Sequence, residues 1–304
     1  IVRKETDMNI TVIPDIHADM QRLNWSLNTS STSSELFFLG DLIDAGKGVQ
    51  KPNDFGVLKK VRELISTGKA KAVLGNHELN AILFHRISKD YLVPMRPHTE
   101  NNMKQHKSFI KAFGIQSPEA LDWTLWMLDT MPLWHEVNGL RIVHACWSES
   151  AIETVKKRRP DGYLQVEDLD EIAAKKTRFA KAVELLTSGP EFSLPDGYSF
   201  DDKNGKTRKE VRLKWWDPEV TSWDEACLSV PDTEQLPKTK LPPKALKEIY
   251  DAEASPALVG HYKMKGAPHL QSSNASSLDF PDTPCLYAWR GEKSLVSENL
   301  IATN

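Results

Sequence analysis

Five short motifs in this 304-residue sequence combine carboxylate, imidazole and amide side chains, the groups with which proteins bind divalent metal ions. Each motif comes at or near the end of a short apolar run. In chain order they are Asp15-Ile16-His17, Gly40-Asp41-Leu42-Ile43-Asp44, Gly75-Asn76-His77-Glu78, Val143-His144-Ala145 and Val259-Gly260-His261. Together they offer ligands for cations and imidazoles that can transfer a proton near neutral pH.

The first two motifs supply the carboxylates. Asp15 and His17 are two residues apart, so on an extended segment their side chains point to the same side and can share a cation. Asp41 follows a glycine that permits a tight turn, and its two oxygens can reach two metal ions. Taken alone, both motifs also fit ordinary turns, with Asp44 capping a helix.

The remaining motifs supply an amide oxygen and imidazoles. Asn76 is a hard ligand or the N-cap of a helix that starts at His77, and it can fill both roles because capping and metal binding use different atoms of the turn. His144 and His261 each end an apolar strand, where a single histidine is more often part of the core.

Alternating apolar runs and amphipathic stretches indicate an α/β domain that positions these motifs. The predicted strands cover residues 9–13, 35–39, 70–74, 133–137 and 140–144, the last two forming a hairpin around Asn138-Gly139. The predicted helices cover residues 19–27, 55–65, 100–113 and 118–128. Because ligands bind at the carboxyl ends of strands in open α/β sheets, we expect the site there.

The composition changes between Trp147 and Ser255, where helices are predicted over 148–157 and 166–186, followed by a stretch rich in Pro, Asp and Lys. We interpret residues 148–255 as a mostly helical insertion or cap within a single domain that spans residues 1–304. The strand pattern resumes at 257–259, and residues 285–289 and 294–297 are predicted to form a closing hairpin.

Composition restricts the class of protein. With 40% hydrophobic and 27% charged residues the chain is an ordinary globular one. A net charge of −3 disfavours stable binding of duplex nucleic acid. The three separated cysteines argue against a disulfide scaffold and favour the cytoplasm. No apolar run is long enough to span a bilayer, so no membrane partner is expected, and the polar start is unlike a signal peptide.

The order of the five motifs resembles that of the metallophosphoesterase superfamily, also called calcineurin-like phosphoesterases. The GNHE motif and the single histidine of the last motif are similar to the branch that contains phosphoprotein phosphatases and symmetrical diadenosine tetraphosphate hydrolases. The resemblance covers residues 9–143 and 257 onward, and it implies an α/β/β/α sandwich.

The resemblance also implies a ligand set for two divalent metal ions, with Asp41 bridging them. The resemblance implies manganese, iron or zinc, of which manganese is the expected metal, and mixed nitrogen and oxygen ligands suit these three metals better than calcium or magnesium. The first ion would be bound by Asp15, His17 and Asp41, and the second by Asp41, Asn76, His144 and His261.

The expected reaction is hydrolysis of a phosphoester by a hydroxide that the metal pair activates. His77 is the candidate general acid for the leaving oxygen, and Asp44 would orient it. The substrate is expected to be a phosphomonoester or a nucleotide polyphosphate, whether a small molecule, a nucleotide or a phosphoprotein. The alternatives are a metal-binding scaffold with weak activity and a nucleic-acid end phosphatase.

One part of the family pattern is missing. Phosphoprotein phosphatases carry phosphate-binding arginines where this sequence has Ala45 and Leu74. Arg96 and Tyr262 are therefore candidates for substrate binding, although each also fits an ordinary structural role. The pair Trp215-Trp216 either stacks on a base or, as is more common, anchors the predicted insertion on the core.

Overall fold

A computed structural model describes residues 9–303, which form fourteen strands and eleven α-helices. The strands are β1 (Ile10–Ile13), β2 (Glu35–Phe38), β3 (Ala70–Ala72), β4 (Trp134–Val137), β5 (Leu140–Val143), β6 (Glu191–Ser193), β7 (Phe200–Asp201), β8 (Thr207–Arg208), β9 (Glu210–Leu213), β10 (Cys227–Leu228), β11 (Ala257–Val259), β12 (Ala275–Ser277), β13 (Cys285–Trp289) and β14 (Leu300–Ala302). The helices are α1 (Met20–Thr29), α2 (Asp54–Ser66), α3 (Asn76–Phe84), α4 (Glu100–Gln105), α5 (Lys107–Phe113), α6 (Pro118–Thr130), α7 (Glu149–Lys156), α8 (Leu169–Ala174), α9 (Arg178–Ser188), α10 (Trp223–Ala226) and α11 (Pro243–Leu246).

Two larger sheets form the centre of the fold. The first has the order β14-β13-β1-β2-β3, in which β1, β2 and β3 run parallel and β13 is antiparallel to both β1 and β14. The second has the order β12-β11-β5-β4, with β11 parallel to β5 and β12 and antiparallel pairing only between β4 and β5. Parallel neighbours bring the carboxyl ends of several strands to one edge.

The facing surfaces of these sheets share one apolar core. It combines residues from both sheets: Ile10, Val12, Phe37, Leu39, Leu140, Ile142 and Leu258. The alternate residues of β1 and β2 belong to a second core that includes helix residues such as Val57 and Leu58 of α2. Helices α7 and α9 contribute Ile152 and Val183 to that second core, which also holds Val143 of β5. The layers are therefore α/β/β/α, as expected from the sequence.

Local side-chain bonds fix where the helices begin. The Asp19 side chain accepts the N–H groups of Gln21 and Arg22 at 3.0 and 3.1 Å at the start of α1. Asn53 and Ser117 cap α2 and α6 in the same way. These are the residue types that best satisfy the free N–H groups of a first helical turn.

Residues 148–255 begin with helices, as expected, and continue with strands that the sequence analysis did not predict. The first half contains α7, α8 and α9, and the second half contains a three-stranded antiparallel sheet (β10-β9-β6) and the two-stranded pair β7-β8. A separate small core, with Val211, Leu213 and Trp223 among its members, supports this half. Strands of two to four residues carry too little periodicity to be read from sequence.

Three predicted elements differ from the structure. The helix predicted over 100–113 is divided at His106, and the one predicted over 166–186 is divided at Lys175, which adopts a left-handed φ of 56°. The predicted closing hairpin has its first strand, β13, where the sequence placed it, but its second strand was wrong: residues 297–299 form a short 3₁₀ turn, and the strand that pairs with β13, β14, follows that turn.

Within residues 9–303, no helix combines the length and the apolar character that crossing a membrane requires.

Candidate metal centre

The predicted site residues meet at one edge of the two sheets. Asp15, Asp41 and Asn76 follow β1, β2 and β3, while His144 follows β5 and His261 follows β11. The turns that carry them are sharp: Asp41 has a φ of 50° and His261 a φ of 65°. Such left-handed backbone is uncommon for residues other than glycine and is concentrated at functional sites.

The side chain of Glu78 holds two of these turns together. Its carboxylate accepts the N–H groups of Asp41 at 2.8 Å, Leu42 at 2.7 Å and Gly75 at 3.2 Å. Burial and the nearby charge of Asp41 raise the pKa of Glu78 to about 7. The fourth residue of the GNHE motif therefore fixes the turn that carries Asp41.

Two motif glycines leave room for the carboxylates. A Cβ atom on Gly75 would lie 2.3 Å from Oδ1 of Asp41, and one on Gly260 would lie 1.9 Å from Oδ1 of Asp15. Both distances are far below van der Waals contact, so any larger residue would displace a predicted metal ligand.

The predicted ligands of the first metal surround Nε2 of His17. This atom lies 3.7 Å from Oδ2 of Asp15 and 3.8 Å from Oδ2 of Asp41. The other ring nitrogen, Nδ1, contacts the carbonyl oxygens of Ile43 and Asp44 at 3.2 and 3.0 Å, so it must carry the hydrogen. Burial lowers the pKa of His17 to about 4 and keeps a lone pair on Nε2.

The predicted ligands of the second metal converge in the same way. Oδ1 of Asn76 lies 2.9 Å from Nε2 of His144 and 3.0 Å from Nδ1 of His261. Nε2 of His144 is also 3.4 Å from Oδ2 of Asp41. Since Nδ1 of His144 donates to the carbonyl oxygen of Leu39 at 2.6 Å, its Nε2 is the ring atom that faces the carboxylate and the amide oxygen and could bind a cation together with them.

These donor atoms fit cations. Metal–ligand bonds of about 2.0 to 2.2 Å place neighbouring ligand atoms about 3 to 3.5 Å apart, close to the separations found here. Two groups of described residues have ligand atoms within 4.8 Å of one another, His17 with Asp41 and His77, and Asp41 with His144 and His261.

The pKa of His144 reflects the charge of this site. Burial alone would lower the pKa of His144, but the charge and hydrogen bond of Asp41 raise it to about 10. The site therefore attracts positive charge.

His77 lies beside this cluster and bonds to Asp44, as its predicted role requires. Nδ1 of His77 is 2.8 Å from Oδ2 of Asp44, and its Nε2 is 3.9 Å from Oδ2 of Asp41. Burial opposes protonation of His77, but the charge of Asp41 and the hydrogen bond to Asp44 raise its pKa to about 9. Its ring can therefore carry a proton at neutral pH.

A second histidine shares the same carboxylate. Nδ1 of the fully buried His106 is also 2.8 Å from Oδ2 of Asp44. Burial would raise the pKa of Asp44, but the bonds to the two imidazoles lower it. His106 also ends α4, so the interruption of the predicted helix brings a buried ring to Asp44.

The two candidate substrate residues have structural contacts. Arg96 bonds to Oδ1 of Asn80 at 3.2 Å and to Oε1 of Gln105 at 2.5 Å, and Gln105 lies 3.5 Å from His77. The Tyr262 ring is buried against Trp216, with centroids 4.8 Å apart. Arg96 thus reaches the site through Gln105, and Tyr262 joins the core to residues 148–255.

At the two positions where the family carries arginines, this chain has residues with structural contacts. The N–H of Ala45 donates to Oγ of Ser108 at 2.9 Å, and Leu74 is fully buried. Trp215 is also fully buried and donates from its indole N–H to the carbonyl oxygen of Ala145 at 2.9 Å. The tryptophan pair therefore anchors the segment and does not present Trp215 to a base.

Sequence reasoning missed three residues of the site. The sequence shows Glu78 only as the fourth residue of its motif. Nothing in the sequence indicates that His106 contacts Asp44, because the two residues are 62 positions apart. Asp279 is buried near Asp15, and its charge adds to the burial that raises the pKa of Asp15. The pKa of Asp279 itself is raised to about 6, chiefly by burial.

The chain was compared with protein families and with known proteins. The family model for calcineurin-like phosphoesterases matches residues 8–216. No curated protein matches the chain.

Several solved structures resemble the chain at low identity. A candidate diadenosine tetraphosphatase shares 13% identity with a TM-score of 0.46, over 98% of this chain and 94% of that one. A serine/threonine phosphatase from Saccharomyces cerevisiae, described as similar to human phosphatase PP5, shares 13% identity with a TM-score of 0.46, over 99% and 80% of the chains. A metallophosphoesterase from Sphaerobacter thermophilus shares 21% identity with a TM-score of 0.31, over 46% and 47%.

Proposed function

The chain belongs to the calcineurin-like phosphoesterase family and is a metal-dependent phosphoesterase, and from this premise we propose that it hydrolyses phosphate esters at a centre of two divalent metal ions. The observation that carries the proposal is the position of Asp41, which belongs to both groups of side chains close enough to share a cation. A carboxylate in that position is what a pair of ions needs as a bridge.

Asp15, His17 and Asp41 would hold one ion, and Asp41, Asn76, His144 and His261 would hold the other. Ligand atoms of His17 and Asp41, and of Asp41, His144 and His261, lie within 4.8 Å of one another. Asp15 and Asn76 join these sets through their contacts with His17 at 3.7 Å and with His144 at 2.9 Å. Manganese is the metal we propose, with iron or zinc as alternatives, and the mixed nitrogen and oxygen donors are compatible with all three. When bound, two such ions lower the pKa of water to give a hydroxide nucleophile and offset the charge that develops on the phosphate.

His77 would donate the proton that the leaving oxygen needs. Its Nε2 faces Asp41, while its Nδ1–H donates to Asp44 and fixes the ring. The raised pKa of His77 keeps the acid form populated at neutral pH. His106 holds the Asp44 carboxylate from the other side and so positions the pair.

We also propose that residues 148–255 are an insertion within one domain. The pairing of β5 with β11, the strands on either side of this segment, supports the proposal, because the central sheet resumes as soon as the segment ends. The cytoplasm remains the proposed location, supported by three cysteines that are all free and buried.

Hydrolysis of p-nitrophenyl phosphate tests the proposed function. Protein loaded with Mn²⁺ should turn this substrate over, and chelation with EDTA should stop it. Asp41→Asn should lower kcat/KM at least about a hundredfold, because it removes the negative charge of the carboxylate proposed to bridge the ions. Asp161→Asn, at an exposed aspartate without a hydrogen-bond partner in residues 9–303, is the matched control and should keep full activity.

Two results would contradict the proposal. Activity that survives chelation would exclude a metal mechanism. Tight Mn²⁺ binding without turnover of phosphomonoesters, nucleotide polyphosphates or 3′-phosphorylated oligonucleotides would instead favour a metal-binding scaffold. Turnover of the oligonucleotides alone would favour a nucleic-acid end phosphatase.

A further inference from the structure

A cavity of about 610 Å³ lies apart from the candidate metal ligands, between the segment that follows Asp44 and helices α4 and α5. One side of it is formed by residues between 45 and 55, and the other by residues between 104 and 112. Neither His77 nor any candidate metal ligand is among the described residues that line it. The volume lies within the range of pockets that bind small molecules.

The rim of this cavity is cationic. Its basic side chains are Lys47, Lys104, Lys107 and Lys111, all of them exposed. None of their ammonium groups has a hydrogen-bond or ion-pair partner within residues 9–303. Because these unpaired cations surround one cavity, they raise the local concentration of anions there.

The acidic residue of the lining does not cancel this charge. Among the described residues that line the cavity only Asp54 is acidic, and it is buried. Its Oδ1 already accepts the backbone N–H of Asp44 at 2.9 Å. The four lysines outnumber this carboxylate, so a ligand that enters the cavity meets positive charge.

Apolar surface lies beside the lysines. The Phe55 side chain lines the cavity, and Phe55 is 50% exposed. Its ring is held from behind by Phe113 and Trp123, with both centroids 6.3 Å from its own. Val49 and Pro52 extend the apolar part of the lining. A ring that is packed on one side and open on the other can stack on a flat apolar group.

The helical side of the cavity is fixed by contacts with the core. Phe109 is fully buried, and the buried His106 ring bonds to Oδ2 of Asp44 at 2.8 Å. Lys107 and Lys111 are four residues apart on α5, so they project from the same face of this helix. The two charges are therefore held near each other before any ligand binds.

We propose that this cavity binds a small organic anion, in which an aromatic or aliphatic body carries a carboxylate or sulfonate group. The lysines would hold the charged group, and Phe55 would pack on the apolar body. The site is separate from the metal centre, and the inference does not depend on the proposed function.

The lining favours this class of ligand over simpler ones. An inorganic anion would leave Phe55, Val49 and Pro52 in contact with water, and a neutral aromatic molecule would leave the four lysines without a counter-charge. The volume fits a small molecule. A ligand that combines both properties matches the whole lining.

The probe for the test is 8-anilinonaphthalene-1-sulfonate, an aromatic sulfonate whose fluorescence rises on an apolar surface. Titration of the wild-type protein should show one saturable site. The triple variant Lys104→Gln, Lys107→Gln, Lys111→Gln should raise the Kd of the probe at least about tenfold, because it removes three charge-assisted contacts.

The matched control is the triple variant Lys176→Gln, Lys181→Gln, Lys244→Gln. These lysines are exposed and lie outside the cavity, and their loss changes the net charge by the same amount. The Kd of the probe should equal that of the wild-type protein.

A second variant tests the apolar half of the site. Phe55→Ala should raise the Kd of the probe about threefold or more, because it removes an aromatic contact. Tyr91→Ala, at a 76% exposed tyrosine outside the cavity, is its control. Since Phe55 belongs to α2 and the substituted lysines to α4 and α5, misfolding of one variant leaves the other as the test.

Four results would overturn the inference. The site is wrong if the Kd is unchanged in both the lysine variant and Phe55→Ala. It is also wrong if Asp41→Asn abolishes binding, because the probe would then lie in the metal centre. The ligand class is wrong if N-phenyl-1-naphthylamine, which has the same rings and no sulfonate, binds as tightly as the probe. Displacement of the probe by hexaglutamate at a lower concentration than by 1-naphthoate would instead assign an acidic protein segment as the ligand.

Discussion

Asp44 is shared by two histidines, and the two rings have different surroundings. His77 has an exposed side-chain fraction of 20% and lines a cavity of about 770 Å³ beside the candidate site, whereas His106 is fully buried. Of the two rings, we therefore propose that His77 meets the leaving group. His106 bonds to the same carboxylate oxygen, and in this proposal it helps to hold Asp44, and with it the His77 ring, in place.

A change of leaving group tests the role of His77. His77→Asn should lower kcat for phenyl phosphate about 10²- to 10⁴-fold, because phenol is a weak acid and leaves poorly without a proton. The loss for p-nitrophenyl phosphate should be clearly smaller, because p-nitrophenol is more acidic. Steady-state kinetics on both substrates measures the difference, with His269→Asn, an exposed histidine outside the site, as control. Equal losses on both substrates would show that His77 does not act as the general acid.

At the scale of residues, the sequence predicts side chains that belong to motifs and misses those that the fold brings in. Asp15 and His17 are recognisable because their chemistry and spacing stand in one segment. His106 and Asp279 reach the site from distant segments, and neither has a neighbouring residue that indicates its role. Both residues affect the site because they are buried beside it, and the burial of a residue cannot be inferred from its type alone.

Some strands and helices of the fold can be predicted from the sequence more accurately than others. Strands β1 to β5 and the helices around them were predicted to within two residues at most ends, because their apolar periodicity is strong. At the division of the predicted helix the His106 ring bonds to Asp44, a contact between distant segments that no local pattern shows. The strand that pairs with β13 begins only after the short 3₁₀ turn at residues 297–299, and so short a turn has no clear signal in the sequence.

The turn between β11 and His261 depends on a glycine. In Gly260→Ala, the new Cβ would lie 1.9 Å from Oδ1 of Asp15 and displace this carboxylate from the cluster. We expect kcat/KM for p-nitrophenyl phosphate to fall at least about tenfold, because residues that hold a metal ligand in place typically contribute at least that much to activity. For the same reason, the concentration of Mn²⁺ that gives half-maximal activity should rise. Gly48→Ala is the matched control, because no atom lies within 4 Å of its added Cβ. An unchanged Mn²⁺ requirement in Gly260→Ala would contradict the assignment of Asp15 as a ligand.

In the whole molecule, the candidate ligands connect parts of the chain that are far apart in sequence. Asp15 and His261 are separated by 246 residues, and the backbone N–H of His261 donates to both oxygens of Asp15 at 3.3 and 3.2 Å. The first sheet contributes Asp15 and Asp41, and the second contributes His144 and His261. The cluster therefore exists only when both sheets are packed together.

Metal binding should for this reason stabilise the whole fold. A ligand that binds only the folded chain adds about 2.7 kcal/mol to the free energy of unfolding at a free concentration one hundred times its Kd. We expect Mn²⁺ to raise the melting temperature of the wild-type protein and of Asp161→Asn, and EDTA to reverse the rise. Asp41→Asn should show little or no rise, because it alters the carboxylate that both clusters share. Thermal unfolding followed by circular dichroism measures the effect without any substrate, and an equal rise in Asp41→Asn and the wild-type protein would place the bound Mn²⁺ outside this centre.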